Sequence, residues 1–574
     1  ISKAKKIKDE EIKSRLCPQV ASEVYELDVS HVDLSSWRML DKEFSLLSRP
    51  GRMNWASLVP QIYVDSSPLP LSCWPNEDWA VIAEFGNAGV FDGSSMFDSS
   101  EKEIPSDGSK FPWFYYSGDR PSRWLKAEEI LLSGFWAYDW HNSAVMAQSI
   151  DAEKKTISLR NNVSFGVRSG NSKARRWRAY NLIEEIDLPG EYAIDRKTKK
   201  IYFLPPGNVS DIKRISISVG TNALYLCDGM KDTEFRNIVF EEAQSAGVVL
   251  KNCENVVFKN CVFRNMLRDG LSIENSSRDC SAEDCVFENF RYGAVFLNGG
   301  KKSTLTNGGN EIRSSTIRNT NLGVVKSGSA IKLYGVGNAV RNCGIYNTPA
   351  IAVYFRGCNL ALDGCSVSNA CYLVDDSGAC YQGRNCSNRG NVLKNNVFAD
   401  IGTEFQHGNA AVYFDDGDCG NIVYSNVFTK CGFPGNGNFG TVFSHGGFDN
   451  FVTRCKFVDC IRPFGSAPWS KEKWEYFFKE HSYSLDRDME NMKVPFAAYY
   501  PSIEKFKTEN NVKSRNYAQY CEVEGSPLFR ETKIKGELFP GILCGNWQTN
   551  MVNATRPCLW TEAFGKMPRS KSRR

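Results

Sequence analysis

Several things are scarce in this chain, and each absence removes a class of protein. No apolar run approaches the roughly 20 residues needed to cross a bilayer as a helix, so a membrane span is not expected. Helix-length amphipathic periods are almost missing before residue 469, which argues against a helical bundle. Charge of one sign is not in excess: the formal net charge is +4, and the surplus cations sit in KAKKIK near the start and RSKSRR at the finish. A phosphate-binding surface needs cations clustered on a folded face, so no nucleic-acid partner is expected. The cysteines, although twenty in number, never form the paired CxxC clusters of a zinc site. Histidine is rare, with five in 574 residues.

An even, high cysteine count without metal spacing points to disulfides. Asn-x-Ser/Thr sequons at Asn162, Asn208, Asn275, Asn385 and Asn553 fit the same oxidising route. A secreted, extracellular glycoprotein is expected. The chain starts at Ile1 without a leader segment, which fits a mature form.

Three units are expected. Residues 1–215 carry the basic tail and then aromatics, prolines and short alternating runs such as QIYVD and KKIYFLPP, the texture of a β-rich, sandwich-like domain. Residues 216–468 change to short β-branched and aromatic strands separated by Gly, Asn and Asp. Residues 469–574 lack that repeat and open on WSKEKWEYFFKEHSYSLDRDME, residues 469–490, which reads as a helix followed by a polar stretch within a capping extension.

The middle unit repeats. An asparagine, a short apolar run and a second Asn or Cys recur in ENVVFKNCVF, GNEIRSSTI, GNAVRNCGI, CNLALDGC, GNVLKNNVF, GNIVYSNVF and DNFVTRCKF. Successive starts at Asn338, Asn359, Asn391, Asn421 and Asn450 are one solenoid coil apart. The expected fold is all-β, a right-handed parallel β-helix with an N-terminal β-rich domain and a C-terminal cap. A second strand in each coil, from GAVFLNGG to GTVFSHGG, alternates. Alternation sends Ile331, Leu333, Val353, Phe355, Cys380, Val412, Phe414 and Val442 inward. It leaves Lys332, Tyr334, Tyr354, Arg356, Tyr381, Tyr413, Asp415, Phe443 and His445 outward on an exposed sheet, a surface suited to a polysaccharide or glycan.

Several separated segments, SGDRPSRWLKAEEILLSGFWAYDWHNSAV, GGKKSTLTNGGNE, SGACYQGRNCSNRGNV, HGNAAVYFDDGDCGNIVYSNVF and HGGFDNFVTRCKFVDC among them, occur in an order that resembles the β-helix proteins of glycoside hydrolase family 141. The resemblance covers roughly residues 70–515. It implies a β-helix with an appended β domain and activity on fucosyl or xylan-type linkages. In that family a GDAGA-like and a YLDD-like segment recur, and matching them here implies Asp376 and Asp416 as the working acids.

Glycoside hydrolysis needs two carboxyl groups. The densest acidic pairs on the outward sheet are Asp375-Asp376 and Asp415-Asp416, on consecutive coils. Asp415 rivals Asp416, because alternation points it outward beside Tyr413. Adjacent acids repel, which raises the pKa of one toward the range of a general acid. Tyr381, Arg384, His407, Tyr413, His445, Arg356 and Asp375 are the expected substrate-binding residues. The two arginines suit a carboxylate or sulfate, and Trp113, Tyr115, Trp136 and Trp140 could line a far wall.

Alternatives stay open at this stage. Asp pairs at strand ends also cap turns, and no cofactor is required, although clustered carboxylates also suit calcium. A uronate lyase using Lys332, Arg356 or Tyr381 as base, or a non-catalytic glycan-binding or matrix protein, fits the same scaffold. Glycan identity, stereochemical course and oligomeric state are not legible.

Overall fold

The computed structural model describes residues 4–33, 43–45, 59–89, 111–170, 175–220, 222–404, 407–470, 472–474, 476, 516–527, 533–534 and 547–548. From Tyr225 onward the chain winds into a parallel β-helix of three sheets with ten, eleven and eleven strands. The first sheet runs from Tyr225–Asp228 to Phe464–Ala467. Each strand of this sheet pairs in parallel and in register with the equivalent strand one coil away, as Ile331 with Val353 and Tyr381 with Tyr413. The eight residues expected inward from alternation all lie in the coil core. Because identical faces repeat at the spacing between strands, rings stack inside: Phe263 on Phe287 at 4.7 Å and Phe428 on Phe457 at 5.0 Å.

Asparagine sets the coil corners. Buried Asn338 accepts the Asn310 N–H at 3.0 Å, Asn450 that of Asn421 at 3.1 Å, and Asn516 that of Asn450 at 3.1 Å. The amide nitrogens reach back as well, Asn338 to the Gly299 carbonyl and Asn391 to that of Gly357, both at 3.0 Å. Each corner therefore satisfies backbone groups that no ladder reaches. A second column, Asn265, Asn289, Asn319, Asn347 and Asn369, sits at positive φ, and each amide bonds the next, closing at 2.9 Å between Asn369 and Asn347. Asparagine tolerates that left-handed turn better than other non-glycine residues.

The repeat as read from sequence needs one correction of phase. Asn359 is not a corner residue: it adopts φ 55°, and Leu360 takes the corner, its N–H bonding Asn391 at 2.9 Å. The strand register agrees, pairing Ala339 with Ala361.

A second correction concerns the C-terminal boundary at 468. Strands Asn516–Gln519 and Cys521–Glu524 stack in parallel on Phe451–Thr453 and Lys456–Val458, so the coils resume after an intervening segment. Of the helix expected to open the segment 469–490, residues 472–474 and 476 are helical, and most of the rest of that segment falls outside the described residues.

Disulfides are also not formed among the described residues. Every cysteine there is a free thiol, and all but Cys17 and Cys73 are buried. Cysteines fill inward coil positions as small hydrophobes, and their thiols are used as donors, Cys343 to the Arg341 carbonyl at 3.1 Å and Cys285 to that of Glu283 at 3.2 Å.

The N-terminal region builds a nine-stranded antiparallel sheet with two smaller sheets. Both faces are buried along Leu131–Gly134 and along residues 143–147 of the strand Ser143–Asp151. Leu132 and Val145 join a core with Phe114, Trp124, Trp136 and Trp177, while Leu131 and Met146 join one that includes Leu267, Tyr292, Val324 and Val325 of the coils. The domain is thereby packed against the flank of the solenoid.

Asn421 gives up the most contacts among these corners, bonding Asp418, Asn450, Gln382 and Asn391. Asn421→Ala is expected to lower stability by about 3 kcal/mol, the cost of orphaning one or two buried polar groups. Asn369→Gly, which keeps the turn and removes a surface amide, should change it by less than about 0.5 kcal/mol. Urea unfolding followed by tryptophan fluorescence checks both, and equal effects would refute the ladder as a stabilising device.

Candidate active site

On the outer face of the first sheet, the strands Ile351–Cys358, Ser377–Gly383, Asn409–Asp415 and Val442–His445 carry one wall of a cleft of about 690 Å³. Trp140, His141 and Phe165 of the N-terminal domain face it from one side, and Trp469, Lys473 and Tyr476 from the other. The sheet here is less open than alternation implied: Tyr413, Asp415 and Phe443 are 3%, 8% and 2% exposed. Phe439 accounts for much of that cover, lying 4.1 Å from the Phe443 ring and 5.1 Å from Tyr413. Beneath runs a column of edge-to-face rings, Tyr334, Tyr354, Tyr381 and Tyr413, with centroids 5.4 to 5.6 Å apart.

Stacking brings the acids together. Asp415 ends its strand opposite Gly383 of the previous coil. A Cβ on Gly383 would lie 2.9 Å from the Tyr381 hydroxyl and 3.1 Å from the Asp415 Cβ, so the glycine keeps open the lane between them. Through it Tyr381 donates to Asp415 Oδ2 at 2.7 Å. His445, one coil further on, holds Oδ1 at 2.9 Å through Nδ1, and the Asp416 N–H donates to the same oxygen at 2.8 Å. Burial pushes the Asp415 carboxyl up, but His445, Arg384 and Tyr381 outweigh it and hold it at about 2.

Its neighbours go the other way. Asp416 turns into the left-handed region, φ 41°, and meets Arg384 Nε at 2.9 Å, with His445 Nδ1 at 3.4 Å. Burial first, then the Asp415 charge, raise it from its ordinary value. Asp376, also left-handed at φ 46°, accepts from the Tyr413 hydroxyl at 3.2 Å and lies 3.6 Å from His407 Nε2. Burial and then the charge of Asp415 push Asp376 up to about 7. The imidazoles diverge too: burial lowers His407, whereas Asp415 overcomes burial and raises His445.

Eight of the ten residues singled out from sequence therefore line one cleft: Asp376, Asp415, Asp416, Tyr381, Arg384, His407, Tyr413 and His445. Two do not. Asp375 is completely buried and accepts the His407 and Gly408 N–H groups at 2.6 and 2.7 Å, so it shapes the turn rather than meeting a substrate. Arg356 is exposed on the same sheet, 5.9 Å above the Tyr334 ring, outside the cleft lining. Of the four aromatics considered for a far wall, Trp140 lines the cleft; Trp136 is buried, and Trp113 and Tyr115 are not in the lining.

Sequence reading missed His141, Phe165, Trp469 and Lys473. Trp469 packs over Gly446 and meets His445 edge-on at 5.5 Å, and Lys473 Nζ lies 3.4 Å from His445 Nε2. The one available signal was position, since this segment directly follows Phe464–Ala467, the strand stacked on that of His445.

Asp415, Asp416 and His445 place possible ligand atoms within 4.8 Å of one another. They do not fit calcium, which takes six to eight oxygens: one of the three is an imidazole, and Asp416 is already paired with the Arg384 cation.

Comparison with known proteins agrees with the architecture. The family described as right handed beta helix region matches residues 159–309. No curated protein matches the chain. Among solved structures, one described as a glycoside hydrolase is 10% identical, with 78% of each chain covered and a TM-score of 0.50. DFA-IIIase from Arthrobacter chlorophenolicus A6 without its lid is 13% identical over 39% of this chain and 65% of that one, with a TM-score of 0.28. The catalytic domain of a GH87 alpha-1,3-glucanase in complex with nigerose is 8% identical over 71% of this chain and 72% of that one, at 0.25. The last two superpose too poorly to support an argument, and the first, at its identity, speaks for the fold: this chain is similar to it in being a right-handed parallel β-helix.

Proposed function

We propose that this protein is a glycoside hydrolase acting on an extracellular polysaccharide, with Asp376 as general acid and Asp416 as the carboxylate that attacks or activates water. One observation carries the reading. Three carboxyl groups from two coils share a ring-lined cleft, and their surroundings drive their pKa values apart, about 7 for Asp376 against about 2 for Asp415. A split of that kind makes Asp376 the proton donor and Asp415 a permanent anion within a single site, and Asp416, paired with the Arg384 cation at 2.9 Å, is the carboxylate left open to substrate. The Asp376 and Asp416 side chains retain 24% and 20% of their exposure, against 12% for Asp415. Asp415, held by three donors, is the fixed charge that keeps Asp376 protonated and orients His445.

Elimination is less well supported than hydrolysis. Lys332 is paired with Asp269 at 3.4 Å, Arg356 lies outside the cleft, and Tyr381 donates its proton to Asp415 with its own pKa raised well above normal. None of the three is placed as a free base. The resemblance to glycoside hydrolase family 141 supports a fucosylated or xylan-like substrate, and the sequons support a secreted, extracellular protein.

Digestion of a polysaccharide panel, read by reducing-end release, tests the assignment. Asp376→Asn and Asp416→Asn should each lose about 10²- to 10⁴-fold in kcat; full activity in both would refute it, and an unsaturated product absorbing in the ultraviolet would indicate a lyase.

The pH profile should be a bell. Asp376 must carry its proton, so activity falls as pH rises through about 7, and on the acid side it falls as the catalytic carboxylate is protonated. Asp415→Asn removes the second-largest cause of the raised Asp376 value, so any remaining activity should lose its alkaline limb at lower pH than the wild type. An unmoved limb would show that Asp415 does not set the acid.

A further inference from the structure

The loop that presents Asp376 is not held by the coils alone. Arg176, on the N-terminal strand Arg176–Tyr180, donates through one guanidinium nitrogen to Asp139 Oδ1 at 3.1 Å and to the Leu373 carbonyl at 3.3 Å. The Asp139 carbonyl in turn accepts the Asp375 N–H at 3.2 Å. The Asp375 carboxylate clamps the His407 and Gly408 N–H groups, and the Gly408 carbonyl accepts the Asp376 N–H at 2.9 Å. An unbroken path of hydrogen bonds thus joins the N-terminal domain to the backbone leading into the proposed acid, at Leu373, Asp375 and the Asp376 N–H.

Packing reinforces the path. The Arg176 guanidinium lies 4.2 Å over the Phe135 ring, and Phe135 packs with Ala350 and Val374 of the coils. The segment that supplies Phe135 and Asp139 continues into Trp140 and His141, which line the cleft, and Asn142, which accepts the Lys326 N–H at 2.7 Å. One stretch of chain therefore builds the far wall and grips the acid loop.

We infer that Arg176 and Asp139 are positioning residues for Asp376: the pair latches the Leu373–Asp376 loop to the N-terminal domain and keeps the proposed general acid half-buried in its reactive pose. This rests on the reading of Asp376 as the acid. The groups facing Asp376 are Tyr413, His407, Asp415, Asp416 and His445. Arg176 is not one of them, so its effect on Asp376 passes through the loop and not through its charge.

Carbodiimide labelling with glycine ethyl ester, which modifies protonated carboxyl groups, tests this on the full chain without a substrate; peptide mass spectrometry reads the extent at Asp376 across pH. The wild type should show a midpoint near 7. In Arg176→Lys, which keeps the charge but not the fork, and in Asp139→Asn, rehydration of the loop should lower that midpoint by about one unit or more. Amide exchange at Asp376 and Gly408 should quicken by roughly tenfold, while Arg178→Lys on the same strand changes neither. A wild-type midpoint near 7 that both variants preserve, with normal thermal unfolding, overturns the latch and spares the acid assignment. A wild-type midpoint near the ordinary carboxylate value of 3.8 overturns the acid assignment itself.

Discussion

Strict in-register stacking of parallel coils is the constraint on which the rest depends. Repeating a backbone every strand spacing places like on like, so any polar group turned inward must find its partner one coil up or down. Asparagine meets that demand at the corners, because its amide accepts from one backbone and donates to another, as Asn338 does with Asn310 and Gly299. Leucine at position 360 is tolerated there since Asn391 still satisfies its N–H. The same repetition favours cysteine inside as a small, weakly donating side chain, which explains an abundance that composition alone assigns to disulfides.

Stacking also concentrates charge. A carboxylate at the end of one strand meets a tyrosine from the coil before and a histidine from the coil after, at 2.7 and 2.9 Å. Three acids in so small a space cannot all ionise freely. The donors are unequally shared: Asp415 receives three, and the repulsion is expressed on Asp376 and Asp416, whose values rise. Division of labour among chemically identical side chains follows from hydrogen-bond geometry.

The N-terminal domain is part of this economy and not an appendage. Its two-faced burial against the flank of the solenoid fixes Phe135 and Trp140, and through Asp139 the turn that bears Asp376. A sheet face that stood open would leave the acids hydrated, at ordinary values, and without a second wall.

The sequence by itself determined the solenoid, because a period-two strand and a recurring asparagine are local signals: the inward set from Ile331 to Val442 and the outward Asp415 and His445 follow from alternation and coil spacing, whereas Asp376 and Asp416 stood out as members of acidic pairs on consecutive coils and through the family resemblance. Phase was less secure, since one residue of slip at Asn359 leaves the pattern looking unchanged. Only the tertiary structure decided which residues close the cleft and which acid keeps its proton. Trp140, Phe165, Trp469 and Lys473 arrive from segments with no repeat, and a pKa depends on every charge and donor within a few ångströms, whatever their distance along the chain. Asp375 shows the limit most directly: it neighbours Asp376 in sequence and shares its chemistry, yet two backbone N–H groups from another coil bury it in a turn.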